Sequence, residues 1–175
     1  MNRKPDWIRV KLSVNENFGK VSGLLDGKKL HTVCRSAKCP NICECWSAGT
    51  ATFMILGDVC TRNCGFCGVS RGKPQIPDIA EAKKIAESVK ELGLKYVVIT
   101  SVTRDDLADG GAGLFADTIT EIRKANLNCG VEVVVRDFGV NKDSINNVLS
   151  AKPSVFAQNI ETIKRLYPVA RSKAN

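Results

Sequence analysis

At 175 residues, with 43% apolar and 25% charged residues, the composition is that of one globular domain able to bury a core, and it excludes a disordered or collagen-like polymer. No stretch approaches the roughly eighteen apolar residues of a membrane span, so no membrane partner is expected. A net charge of +8 favours an acidic partner, but with 6% aromatics and no basic run beyond two residues the lysines read as solvated surface, and nucleic acid is not expected.

In chain order, "MNRKPDWIRVKL" is charged and has no apolar run behind it, which predicts neither a secretory signal nor a transit peptide and points to the cytoplasm. Residues 1–33 read as an irregular basic leader, and residues 34–49 as a cysteine-rich loop. "ATFMILG" (51–57) is a short apolar run suited to a buried parallel strand. After the loop bearing Cys60, Cys64 and Cys67, "PDIAEAKKIAESVKELG" predicts a helix. Its apolar positions are Ile79, Ala82, Ile85, Ala86, Val89 and Leu92, with Asp78 as its cap and Gly93 as its stop. Strands are expected over 96–102, 130–138 and 154–161, helices over 114–126 and at "KDSINNVLSA", and a last helical turn through Ile163 and Leu166. The division is an extension over 1–49 and a barrel portion over 50–175.

Alternating strands and helices demand parallel pairing, and in a βα barrel the chemistry sits at the carboxyl ends of the strands. The cysteine loop, "TSVTRDD", "RDFG" and "NIET" each follow one predicted strand, so all fall on one face.

Eight cysteines without a signal peptide suggest metal or redox chemistry rather than a disulfide scaffold, and six of them lie between Cys34 and Cys67. Cys60-x3-Cys64-x2-Cys67 is a trio. Structural zinc takes four ligands, normally from paired C-x2-4-C units, so zinc would need thiolates from Cys34, Cys39, Cys43 or Cys45. A cubane iron–sulfur cluster takes one thiolate per iron, and three thiolates leave one iron open to bind and activate a ligand. Electron-transfer clusters are closed by a fourth thiolate, so a cluster carrier or electron-transfer module is the alternative reading, with Cys43 as the nearby spare.

C-x3-C-x2-C after a first barrel strand resembles the radical S-adenosylmethionine (SAM) superfamily. The resemblance implies an α/β fold, a partial TIM-like barrel of about four βα units. It implies a [4Fe–4S] cluster whose open iron chelates SAM, with Phe66 near the adenine. A second trio, Cys34-x4-Cys39-x5-Cys45, narrows the match. Together with "KPDWIRVKL", "LHTVC", "CPNICECW", "GTATFMILG", "YVVITSVTRDDLADGGA" and "NIET" it resembles the lipoyl synthase family from about residue 4 onward. That resemblance implies an auxiliary [4Fe–4S] cluster on Cys34, Cys39 and Cys45, consumed as the sulfur source. It implies insertion of two sulfurs at C6 and C8 of an octanoyl chain on a lipoyl carrier domain, either a 2-oxoacid dehydrogenase E2 subunit or a glycine cleavage H protein. Flavodoxin or ferredoxin would be the reductant. Such carriers are usually acidic, which suits the basic charge.

The remaining polar peptides carry two readings each. Asp105 and Asp106 suit a helix N-terminus, where carboxylates favour the dipole. On the cluster face, Thr100 and Ser101 would instead hydrogen-bond the methionine portion of SAM, with Asp105, Gly110 and Gly111 shaping the pocket. Asn159 and Glu161, at alternate strand positions, would face a ribose diol, or they are ordinary strand-end polar residues. Arg62 and Arg71 would offset the charge of an anionic cluster or substrate, and Trp46 would shield the auxiliary cluster. His31, Cys43 and Cys129 are assigned no ligand role, Cys129 being simplest as a small buried hydrophobe.

Three departures from the family stand out. Its members usually continue to an arginine–serine–serine motif whose serine completes the auxiliary cluster, whereas this sequence stops at "RSKAN". Arg136 stands where proline is common, and Ala157–Gln158 replace an asparagine–histidine pair. The expectation is a truncated barrel with an open strand edge, marginal, aggregation-prone or complemented by a missing half, and inactive on its own unless so complemented.

Overall fold

The computed structural model describes residues 14–171 and 173, so "KPDWIRVKL" lies outside the described residues. In chain order the elements are α1 (Glu16–Gly27), α2 (Val33–Ser36), α3 (Ile42–Ser47), β1 (Thr52–Ile55), β2 (Val59–Cys60) and β3 (Ser70–Arg71). There follow α4 (Glu81–Glu91), β4 (Tyr96–Ser101), α5 (Ala112–Ala125), β5 (Gly130–Val135), α6 (Lys142–Ser150), β6 (Val155–Gln158) and α7 (Tyr167–Ala170). β1, β4, β5 and β6 form one parallel sheet in that order, with Phe53 opposite Ile99, Ile99 opposite Val133, and Val133 opposite Phe156. α4 packs on α5 and α5 on α6, covering the sheet as βα crossovers must. The architecture is the expected partial βα barrel.

The core lies between sheet and helices. Phe53, Ile55, Ile99, Val131 and Val133 meet Ile85, Val89, Phe115, Ile119 and Ile122, all nearly water-free. In α4 the buried apolar stripe begins at Ala82, while Ile79 is 90% exposed and precedes the helix. The cause is the turn at Asp78: its carboxylate accepts from the Ala80 N–H (2.9 Å) and its carbonyl from the Glu81 N–H (3.0 Å), so the helix starts a turn later than the periodicity suggests. Gly93 ends that segment in the left-handed region (φ 63°), as expected of a helix-stop glycine.

Two expectations for the first 49 residues fail. The leader contains α1, capped by Asn15, whose side-chain oxygen accepts from the Phe18 N–H at 3.2 Å. Its apolar stripe is only Val21 and Leu25, and three glycines dilute it, so periodicity is faint in the sequence. The cysteine-rich segment is two short helices, α2 capped by Thr32 and α3 anchored by Trp46. Trp46 is buried against Phe18 (ring centroids 5.2 Å apart) and beneath the Arg35 guanidinium (4.8 Å), so it pins α3 to α1 as a core residue. The same region covers the free edge of β1: the Met54 N–H donates to the His31 carbonyl (2.9 Å), and Thr32 bridges Phe53.

β5 and β6 are shorter than expected, ending at Val135 and Gln158. Asp137 accepts from the Gly139 N–H (3.1 Å) and turns the chain into a single 3-10 turn over Phe138–Val140. Among the described residues no strand pairs with the outer edge of β6.

Glu81 is the one acid of α4 inside the core. Burial pushes its carboxyl up from the ordinary 4.5 to about 7, against the hydrogen bond from the Leu56 N–H. The folded chain therefore holds the proton more tightly than the unfolded one. The associated stability is complete below about pH 4.5 and is lost as pH rises through 7. Glu81→Gln should gain on the wild type by roughly 1–3 kcal/mol between about pH 5 and pH 8, read from urea midpoints, with little difference at the acid end.

Candidate metal centre

The chain leaves β1 through Leu56 and Gly57, both in the left-handed region, and enters β2 at Val59–Cys60. The loop from Cys60 to Val69 then closes through β3, which pairs with β2. Along it Cys60, Cys64 and Cys67 line one cleft together with Phe66, Ser101, Arg136, Glu161 and Arg171. Local hydrogen bonds shape the loop: the Arg62 N–H donates to Cys60 Sγ (3.4 Å) and the Cys67 N–H to the Cys64 carbonyl (3.2 Å). Burial pushes the Cys64 thiol up, Arg171 pulls it down, Cys60 and Cys67 add to the rise, and Arg136 opposes it. These influences show three thiols and two guanidinium groups sharing one electrostatic neighbourhood.

The second trio is gathered by α2, the turn that follows it and α3. Burial raises the Cys45 thiol, with Cys34, then Cys39, then Glu44 adding to it. The Cys39 N–H donates to the Cys34 carbonyl (3.0 Å) at the end of α2, and the Ile42 N–H to the Cys39 carbonyl (3.4 Å). The two trios abut. A Cβ on Gly68, next to Cys67, would lie 3.1 Å from the carbonyl oxygen of Ala37, which sits between Cys34 and Cys39. A side chain there would crowd that close backbone approach, which glycine avoids.

Arg62 does not face the cleft as a free counter-charge. It is 7% exposed, and its guanidinium is spent on two carboxylates: Asp105 (2.7–3.1 Å), beyond β4, and Asp137 (2.6 and 2.8 Å), beyond β5. Burial disfavours its charge, but the two carboxylates outweigh burial and hold it protonated. Arg71 lies exposed in β3. The counter-charges beside Cys64 are instead Arg136, whose Nε donates to the Ser101 carbonyl (3.0 Å), and Arg171, whose Nη1 donates to the Asn159 carbonyl (3.0 Å). α7 brings Arg171 there, docked through the Gly65 N–H to the Ala170 carbonyl (3.1 Å). Sequence reading singled out Arg136 only as a departure and passed over Arg171, whose place depends on a contact about a hundred residues away in sequence that no local signal encodes.

The other anticipated residues divide. Thr100 and Ser101 are successive on β4 and point to opposite faces. Ser101 lines the cleft, whereas the Thr100 hydroxyl donates to the Val134 carbonyl (2.9 Å). Asp105 holds Arg62, and Asp106 holds Arg104 (2.8–3.2 Å); neither caps α5, which begins at Ala112. Gly110 and Gly111 pack under Phe138 and Leu56 rather than lining the cleft. Phe66 is 56% exposed at its rim. Asn159 and Glu161 lie beyond the end of β6, so strand alternation does not place them together; Glu161 reaches the cleft from a left-handed backbone (φ 67°). Cys129 is buried, as its apolar setting predicts, and burial raises its thiol.

Three thiols on one loop form a donor set that fits a cubane, which takes one thiolate at each iron. Among the described residues no group of His, Cys, Asp and Glu is arranged to hold a metal ion. Among the described residues two buried side-chain polar atoms lack a partner, Ser101 Oγ and Trp46 Nε1, one beside each trio. Of the two, Ser101 Oγ lies in the cleft, whereas Trp46 is packed in the core between Phe18 and Arg35.

A sequence model of the radical SAM superfamily matches residues 54–173. Among curated proteins, the chain is 56% identical over 173 residues to the lipoyl synthase of Caldicellulosiruptor saccharolyticus, covering 99% of this chain and 61% of that protein. It is 52% identical over 174 residues to the lipoyl synthase of Symbiobacterium thermophilum (99% of this chain, 54% of that protein). Against the lipoyl synthase of Bacillus cereus it is 48% identical over 173 residues (98% and 58%). The chain thus spans between about half and three-fifths of the length of these relatives. With its parallel βα sheet and the cysteine loop leaving the first strand, the chain belongs to the radical SAM superfamily.

Proposed function

We propose that this chain carries the cluster-binding and SAM-binding part of a lipoyl synthase, which inserts sulfur at C6 and C8 of an octanoyl chain on a lipoyl carrier domain. The observation that carries this reading is the gathering of two cysteine trios on loops whose backbones meet at Gly68 and Ala37, one on the barrel and one on the extension over 1–49. Cys60, Cys64 and Cys67 would hold a [4Fe–4S] cluster with one open iron, and Cys34, Cys39 and Cys45 an auxiliary cluster. When bound, the first cluster and SAM supply a hydrogen-abstracting adenosyl radical, and the auxiliary cluster supplies sulfur.

The chain's own residues do the rest. The Arg62 N–H supports the sulfur of Cys60, and Arg136 and Arg171 offset the thiolate charge around Cys64. The free Ser101 hydroxyl offers a hydrogen bond to a polar cosubstrate in the cleft, and Phe66 at the rim offers a ring face to an adenine. Thr100, Asp105, Asn159 and Glu161 complete the proposed SAM surroundings. Thr100 and Asp105 do so indirectly, by holding β5 and Arg62, and Asn159 through its carbonyl to Arg171. Close approach of the two trios fits a carbon radical that must meet sulfide before water. The surface charge of +8 suits an acidic carrier domain. A low-potential flavodoxin or ferredoxin as reductant, and a cytoplasmic setting that keeps the thiols reduced, complete the proposal. No helix among the described residues is long and apolar enough to cross a membrane.

Anaerobic reconstitution should load about eight irons per chain, as two cubanes require. Reduction with SAM present should yield 5′-deoxyadenosine. Cys64→Ala should lose about half the iron and all of the nucleoside, whereas Cys39→Ala should lose a similar share of iron and keep the nucleoside. A chain that holds iron yet never yields the nucleoside would overturn the assignment. Ser101→Ala should weaken SAM binding by about three- to tenfold in equilibrium dialysis while leaving the iron content unchanged.

A further inference from the structure

We propose that Glu81 and Arg104 are positioning residues for the first cysteine trio: together they grip both backbone polar groups of Leu56, the strained residue at which the chain turns from β1 towards Cys60. The proposal rests on reading Cys60, Cys64 and Cys67 as cluster ligands.

Leu56 is buried and has φ 70°. A residue with a Cβ in the left-handed region costs about 1–2 kcal/mol, and it stays there only when its surroundings over-determine it. Those surroundings are specific. The Leu56 N–H donates to Glu81 Oε2 at 2.9 Å, and the Leu56 carbonyl accepts from Arg104 Nη1 at 3.3 Å. Its side chain lies over Gly111, where a Cβ would come within 2.2 Å of Leu56 Cδ1. Glu81 is 5% exposed and Arg104 is 2% exposed. A carboxylate at a core position of α4 is costly unless it satisfies something that apolar packing cannot. Here that something is the N–H of a turn that no helix or sheet ladder serves. Arg104 is itself aimed: Asp106 takes Nε and Nη2 and leaves Nη1 for Leu56.

The lever arm is short. Gly57, also left-handed (φ 84°), follows Leu56, and Cys60 comes in the two-residue strand directly after the turn. Relaxation of Leu56 towards ordinary backbone would swing the loop and move the Cys60 sulfur relative to Cys64 and Cys67. The clamp thus links α4 and the "TRDD" segment, neither of which touches the cleft through these side chains, to the spacing of the trio.

The test uses the whole metal-free chain, reduced and anaerobic, with iodoacetamide modification of each cysteine followed by mass spectrometry. Glu81→Ala and Arg104→Met should each raise the rate at Cys60 by about tenfold, the expected cost of a lost buried hydrogen bond, while Cys39 and Cys45 keep their wild-type rates. Glu81→Gln, which retains an acceptor for the Leu56 N–H, should not exceed the wild-type rate. Equal acceleration at all of these thiols, or no change at Cys60 in either variant, would overturn the proposal. Because no metal is present, a wild-type chain that refuses iron would sink the cluster reading while the clamp remains measurable.

Discussion

The site hangs on one buried cation. Arg62 lies two residues after the first thiol of the loop and two before the second, and its guanidinium closes on Asp105 and Asp137, residues carried by the exits of β4 and β5. Three segments that meet nowhere else in sequence are thereby held at one point at the carboxyl ends of the strands. Such a pair adds little to stability compared with apolar packing, but losing one partner strands a buried charge at a cost of about 3–5 kcal/mol. The arrangement therefore specifies a place for the loop more than it strengthens the fold.

A consequence follows for the charge of the cleft. With Arg62 committed to carboxylates, thiolates at Cys60, Cys64 and Cys67 must be balanced by other groups. Arg136 and Arg171 fill that role from β5 and from the segment after α7. Both are steered by main-chain carbonyls, of Ser101 and of Asn159, so their positions are set by backbone that the sheet and the last helical turn define. The cleft is a product of the strand ends, and the cysteine loop alone does not make it.

The extension is built into the same framework. α1 and α3 share the Phe18–Trp46 contact, and residues 31 and 32 hydrogen-bond along β1. The Cys34, Cys39 and Cys45 trio therefore sits on elements tied to the first barrel strand, and Gly68 brings the barrel loop against them. Two cysteine-bearing loops separated by a strand in sequence come into backbone contact because, among the described residues, the outer edge of β1 is covered by the segment before it.

Much of this was legible beforehand. Short β-branched runs alternating with the helical period of α4 and α5 announce a parallel βα sheet, because each helix must cross back over the sheet between successive strands. The spacing of the cysteines identifies both trios, since ligand number and loop length are properties of the chain. Motif resemblance supplies the chemistry that such trios carry in the family. Tertiary structure decided what local signals cannot hold. α1 emerges because Val21 and Leu25 find partners in space, not because their periodicity is strong. Arg62 turns inward because two carboxylates await it beyond other strands, and Arg171 turns towards Cys64 because α7 docks on Gly65. Side-chain partners so distant along the chain are chosen by packing and electrostatics in three dimensions, and a linear pattern records only that the charges exist.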